Sequence, residues 1–266
     1  MRIVSVSLLI ALATQGVALG QRGSEPTLVL RLSAGMLVTS PTLWSDPRQP
    51  VIVPGTERSA TPLFDTLSLA RDFTTGLAFG LHAVYFPKPW AGVSAAVQYL
   101  GLTLHDACGG VYFDPTLGTP NREMCSAIQG AQRSLGAVQL EAGGVLRPLP
   151  RAAVSPYLRA AVGLVAYSAS TVYLEGPRAT GIQVIIDDPQ PRHASPTLTW
   201  GMGITSALSP GYGMHLEVRE VTAAFDHVTG PADRLARAPA SSRYTTHIVF
   251  SLGLDIVLDA KRGRRY

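Results

Sequence analysis

The chain has 266 residues, 15% of them charged, with a net charge of +4 and a mean hydropathy of +0.20. An average soluble domain carries about 25% charged residues, so this composition points away from an ordinary water-facing surface, and the small, dispersed positive excess argues against nucleic acid as a partner. Beyond residue 20 there is no run of the roughly 18 apolar residues that a membrane helix needs, which leaves apolarity spread at short period, as in a sheet with one face in lipid.

Residues 1–20 read as a cleaved export signal: Arg2 gives a positive start, Ile3 to Leu12 form a short apolar core, and Ala18-Leu19-Gly20 offers the small residues that a signal peptidase accepts. Residues 21–266 show no linker and no shift in composition, and read as a single domain with a short basic tail. Alternation starts at once. The first stretch sets Leu28, Leu30, Leu32, Ala34, Met36 and Val38 on one face and Val29, Arg31, Ser33, Gly35 and Leu37 on the other. A second, at about 71–86, opposes Gly76, Ala78, Gly80 and His82 to Leu77, Phe79, Leu81 and Ala83; a third, at about 91–104, opposes Gly92, Ser94, Ala96 and Gln98 to Val93, Ala95, Val97 and Tyr99. The fourth, at about 133–147, turns Ala137, Gln139, Glu141 and Gly143 inward. The fifth puts Tyr157, Arg159, Ala161, Gly163 and Val165 inside and Leu158, Ala160, Val162 and Leu164 outside. In the sixth, Leu198, Trp200, Met202 and Ile204 oppose Thr199, Gly201, Gly203 and Thr205. The seventh, at about 214–225, carries His215, Glu217 and Arg219 on its inner face, and the last alternates Ile248, Phe250, Leu252, Leu254, Ile256 and Leu258 with His247, Val249, Ser251, Gly253, Asp255 and Val257.

The gaps alternate too. Pro87-Lys88-Pro89-Trp90, Pro148 to Ala153 and Ser209 to Gly213 are short and rich in Pro and Gly, as tight turns are. Those at about 40–70, 105–132, 169–196 and 226–243 are several times longer. This rhythm predicts an all-β fold, an eight-stranded antiparallel up-and-down transmembrane β-barrel, with both termini and the short turns at one rim and four long loops at the other. Closure leaves no unpaired edge, as lipid demands. Phe86, Trp90, Tyr157 and Tyr212 are expected at the short-turn rim, where aromatic rings favour the interface, with Tyr157 facing the lumen instead if it keeps parity with Arg159. A soluble lipocalin-like barrel is the competing architecture, and would put its apolar residues inside. Cys108 and Cys125 share one long gap of an exported chain, where disulfides persist. A bridge is expected, because two thiols without a nearby pair of histidines fall short of zinc spacing.

The last stretch ends in Ser251-Leu252-Gly253-Leu254-Asp255-Ile256-Val257-Leu258: a polar residue, a Gly two later, then two hydrophobic positions at alternate spacing. On this motif and on the strand pattern over 27–258, the chain resembles the small eight-stranded bacterial outer-membrane proteins of the OmpA, OmpX and OmpW class. The resemblance implies an outer-membrane location, contact with membrane lipid and lipopolysaccharide, and recognition of Ser251, Gly253, Ile256 and Leu258 by the barrel-assembly machinery. Ile256 and Leu258 stand where such signals usually carry aromatics, and Asp259 to Tyr266 follow them.

Parity places Arg31, Arg159 and Arg219 inside against Glu141, Glu217 and Asp255. An Arg facing lipid at the midplane would cost about 2–4 kcal/mol, so energetics alone turns these groups inward, and an ion-pair plug is expected around Arg31, Asp255, Glu217 and Arg219. The same carboxylates with His82, His215 and His247 would suit acid–base chemistry. Against that, the sequence holds no Gly-x-Ser-x-Gly turn, and mutual neutralisation accounts for the charges. No metal spacing, phosphate loop, dinucleotide fingerprint or calcium loop points to a cofactor. Lys261-Arg262-Gly263-Arg264-Arg265 reads as a solvated tail, with anionic headgroups or cell-wall polymer as alternative partners. The expected class is a non-enzymatic outer-membrane barrel that stabilises the envelope or binds an external ligand through its loops; a narrow channel for small solutes and a lipid-modifying enzyme are the alternatives.

Overall fold

The computed structural model describes residues 26–39, 42–113, 120–178 and 181–258. The expected export signal at 1–20 and the basic tail at 259–266 lie outside the described residues. In chain order the elements are β1 (Thr27–Thr39), β2 (Thr42–Ile52), β3 (Phe64–Lys88), β4 (Ala91–Tyr112), α1 (Pro120–Ile128), β5 (Gln132–Leu146), β6 (Val154–Tyr167), β7 (Leu174–Arg178), β8 (Gly181–Ile186), β9 (Ala194–Ser209), β10 (Tyr212–Val228) and β11 (Ala240–Leu258). Eight of the strands close a ring in the order β1-β3-β4-β5-β6-β9-β10-β11, all antiparallel, with β1 paired to β11. Both ends of the ring and the three short turns share one rim. Two of these turns are two-residue reversals, Pro89-Trp90 and Pro210-Gly211, the second with Gly211 at φ 89°, as Pro-Gly turn chemistry requires.

Period-two alternation sorts the side chains. Leu32, Met36, Phe79, Leu140, Val162, Trp200, Met202, Phe250 and Leu252 are exposed on the outer face, and their strand neighbours are buried or, where glycine, often half-buried. The apolar stretch of β1 runs from Leu28 to Val38, about 33 Å of strand, or roughly 25 Å of height at a tilt of about 40°. That is the height of the apolar band of a membrane barrel. The faces are therefore the reverse of those of a soluble lipocalin-like barrel. Inside, missing side chains make room for long ones: a Cβ at Gly203 would lie 2.6 Å from Tyr157 Cζ, and one at Gly80 would lie 2.7 Å from His82 Nε2.

The structure departs from the strand pattern at the long-loop rim. The span 40–70, expected as a loop, contains β2 and the start of β3. β2 carries Pro47 and Pro50 and has two register shifts against β3. It lies at the end of the sheet order, where missing N–H donors are tolerated. A further shift between Thr74 and Leu77 on the β3–β4 ladder reverses the parity of β3. Below it Ala78, His82 and Val84 face inward, and above it Phe73, Arg71, Leu69 and Leu67 do. Phe86 and Tyr157 are not rim aromatics: they are 3% and 1% exposed. Each keeps the inner parity of its strand, and with Val29, Val84 and Val145 they form an apolar floor at the short-turn end. Trp90 and Tyr212 are exposed at that rim.

Candidate functional site: the filled lumen and its roof

Above the floor lies a layer of buried charge. Arg31 and Asp255 are direct partners across the β1–β11 seam, with Nε 3.4 Å from the carboxylate. Asp255 also meets His215 Nδ1 at 2.5 Å and accepts from Thr205 Oγ1 at 2.9 Å. Glu217 lies 3.3 Å from Arg219 and 3.5 Å from Arg159, and accepts from Tyr157 Oη at 2.7 Å. Arg159 in turn pairs with Glu141, to which Gln98 and Gln139 also donate. The Arg31 guanidinium stacks over the Tyr157 ring at 4.6 Å, so Tyr157 links the two groups. All six charged residues expected in the lumen thus belong to one connected set, and each is 5% exposed or less. Charge-assisted hydrogen bonds of this kind are the strong ones, and a carboxylate with three donors leaves little of its charge uncompensated.

The three inward histidines do not converge. His82 Nδ1 accepts from Arg159 at 2.8 Å, since a guanidinium can only donate. His215 belongs to Asp255. His247 lies higher, edge-on to Phe73 and Phe225 with centroids 5.2 Å apart. There the lumen turns apolar. Leu37, Leu100, Leu135, Val221 and Val249 pack with those rings and with Tyr167, whose hydroxyl donates to Ala224 O at 2.9 Å. The same cluster continues without a break into Leu67, Leu69, Leu104, Met124, Ile128, Leu174 and Ile186 of the outer segments. The long loops are thus folded down as a roof on the barrel core.

A second buried ion pair holds this roof. Arg71 meets Asp106 through two nitrogens, at 2.5 and 3.0 Å, and donates to the carbonyls of Thr171 and Tyr173 at 2.9 and 3.0 Å. Trp44 stacks over the same guanidinium at 5.4 Å and donates Nε1 to Thr171 O at 3.0 Å. Three outer segments, β2, the strand extensions of β3 and β4, and the stretch before β7, meet at one charge. Cys108 of β4 is bridged to Cys125 of α1. α1 starts at Pro120, which suits a first helical turn, and turns Asn121, Met124, Cys125 and Ile128 inward. Asn121 donates to Asp65 at 2.6 Å and accepts from Arg178 at 2.8 Å. On the far side the Gln49 amide pairs with Ala232, accepting from its N–H at 2.7 Å and donating to its carbonyl at 3.2 Å.

Arg71 and Asp106 were not among the expected lumen residues. Alternation does run upward from Leu67 to Phe73, but its phase changes at the bulge, and Asp106 sits in a span read as loop. The residues of the expected insertion signal split by face: Ser251 lines the lumen, Gly253 is half-buried on the same side, and on the outer face Leu258 is exposed and Ile256 half-buried.

No protein-family profile matches the chain, and no curated protein does. Solved structures similar to it include the outer membrane protein OprG from Pseudomonas aeruginosa, at 10% identity over 89% of this chain and 98% of that one, with a TM-score of 0.48. Neisserial surface protein A is similar at 12% identity over 87% and 98% of the two chains, with a TM-score of 0.42. Ail, the attachment invasion locus protein of Yersinia pestis, is similar at 9% identity over 89% and 100%, with a TM-score of 0.38. By its closed ring, apolar belt and filled lumen, the chain is an eight-stranded antiparallel up-and-down transmembrane β-barrel, similar in architecture to these small outer-membrane proteins.

Proposed function

We propose that the chain resides in the bacterial outer membrane as a non-enzymatic barrel with a closed lumen, and that it presents a rigid roof of outer segments to the exterior. The observation that carries this reading is the unbroken filling of the lumen: apolar floor, paired charges, aromatic and aliphatic layer, then the Arg71–Asp106 roof. A solute crossing it would have to part each layer, including buried ion pairs whose separation costs several kcal/mol. On this reading the belt contacts membrane lipid and lipopolysaccharide, and the β11 segment Ser251, Gly253, Ile256 and Leu258 is read by the assembly machinery. An external ligand would have a cleft of about 340 Å³ in the roof, bordered by Pro50, Phe64, Gln183, Val184 and Arg234.

Two measurements test the proposal. Protein should fractionate with outer membranes and migrate differently on a denaturing gel before and after boiling; recovery in the periplasmic supernatant would refute the location. Purified protein in planar bilayers should give no stepwise conductance. Reproducible single-channel steps would reject the closed lumen in favour of a narrow channel, and a change in lipid A mass on expression, lost on substituting His215 or His247, would establish an enzyme instead.

A further inference from the structure

Charge is sorted along the barrel axis. Among the described residues at the short-turn rim, every exposed charged side chain is a cation: Lys88 in the β3–β4 turn, and Arg147, half-buried, and Arg151 in the β5–β6 turn. The opposite end has the reverse balance, with 12 Asp and Glu to 10 Lys and Arg among the described residues of the outer segments. The lumen contributes three charges of each sign. Among the described residues, Lys88, Arg147 and Arg151 have no carboxylate within ion-pair distance. Lys88 Nζ stands 5.5 Å above the Trp90 ring and Arg147 stacks 5.0 Å from Phe86.

The same turns carry exposed apolar tips. Trp90 is 52% exposed beside Lys88, Leu149 is 58% exposed between Arg147 and Arg151, and Tyr212 is 50% exposed in the third turn. An apolar or aromatic tip flanked by cations belongs at the boundary between acyl chains and headgroups, where the ring or Leu enters the hydrocarbon edge and the cation reaches a phosphate. A soluble polymer would meet the cations but leave the tips in water.

We propose that the short-turn rim is a binding surface for anionic phospholipid headgroups of the inner leaflet, with Lys88 and Arg151 as phosphate contacts and Trp90 and Leu149 as interfacial anchors. The inference rests on the membrane location proposed above. A juxtamembrane cation strengthens binding to an anionic surface by about fivefold, so each of the two should be separately measurable.

The test uses full-length protein refolded into vesicles of equimolar phosphatidylglycerol and phosphatidylcholine, with retained lipid counted by native mass spectrometry. The expected result is a clear enrichment of phosphatidylglycerol. Lys88→Gln and Arg151→Gln should each reduce it by about three- to fivefold, while the charge-retaining Lys88→Arg and Arg151→Lys keep it. Heat-dependent gel migration confirms folding of every variant, and the conservative pair keeps the comparison valid should a Gln variant fold poorly. Equal retention of the two lipids by inserted wild type would overturn the inference and leave the barrel reading intact. Co-sedimentation of wild type with cell-wall sacculi without any lipid preference would overturn it in favour of a polymer. Failure to insert into either vesicle would overturn the membrane reading on which it rests.

Discussion

Replacing Glu217 by Ala should be the most destabilising single change in the lumen, because of what it leaves behind. Glu217 is the carboxylate within ion-pair distance of Arg219, at 3.3 Å, and it also meets Arg159 at 3.5 Å and Tyr157 Oη at 2.7 Å. Arg159 keeps Glu141 when Glu217 is lost, but Arg219 is left charged at 2% exposure. Removing one member of a buried pair in this way costs about 3–5 kcal/mol. The charge-free double variant Glu217→Met, Arg219→Met leaves no stranded charge and should recover most of that loss, since apolar replacement of a whole buried pair is often neutral. The assay is urea unfolding of protein folded in detergent, followed by tryptophan fluorescence and heat-dependent gel migration. A stranded Arg219 is excluded as the cause if Glu217→Ala unfolds at the same urea concentration as an exposed control such as Arg58→Ala, or if the double variant is less stable than the single one.

Gly203→Ala should lower stability by about 1–3 kcal/mol, because its Cβ would displace the Tyr157 ring, whose Oη lies 2.7 Å from the Cβ position; an unchanged urea midpoint would contradict this. Cys108→Ala with Cys125→Ala removes a cross-link over a sequence separation of 17, worth about 3 kcal/mol in the chain-entropy account. The barrel should still resist protease while trypsin cuts faster after Arg122, read by mass spectrometry of timed digests. Burial raises the pKa of Asp46 in the roof above the ordinary 3.8, partly offset by the Arg48 N–H. A raised carboxyl pKa means that its contribution is fully present below the unfolded value and is lost as pH rises through the folded one. Asp46→Asn should therefore protect the roof against protease at neutral pH and make no difference in acid, and equal protection at both would exclude the carboxyl as the cause.

The ring was legible because lipid enforces a period of two with few exceptions. Once Leu28 to Val38 and Ile248 to Leu258 set the outer face, Arg31 and Asp255 had nowhere to go but inward, and the same parity carried Glu141, Arg159, Glu217 and Arg219 with them. The roof was not legible. β2 looks like loop because Pro47 and Pro50 are poor in a central strand, and only its edge position makes them harmless. Arg71 changed face at the bulge after Phe73, and no residue type marks where a register shift falls. The burial of α1 and of β7 with β8 comes from packing on one another and on Leu69, Leu104 and Cys108, which is tertiary information. Phe86 follows the parity of its strand and not the interfacial preference of its residue type.

The seam between first and last strand also bears on how the cylinder is proofread. Arg31 stands directly opposite Asp255, with Gly253 and Val257 two positions to either side. A slip of one residue would turn the apolar face inward, and a slip of two would keep every face correct while setting Arg31 against a residue that cannot answer it. Hydrophobic patterning is blind to that second error. The complementary pair at the point of closure converts it into a stranded Arg31, while Asp255 keeps His215 and Thr205, so that the correct alignment of the two ends is the one that leaves no buried cation unanswered.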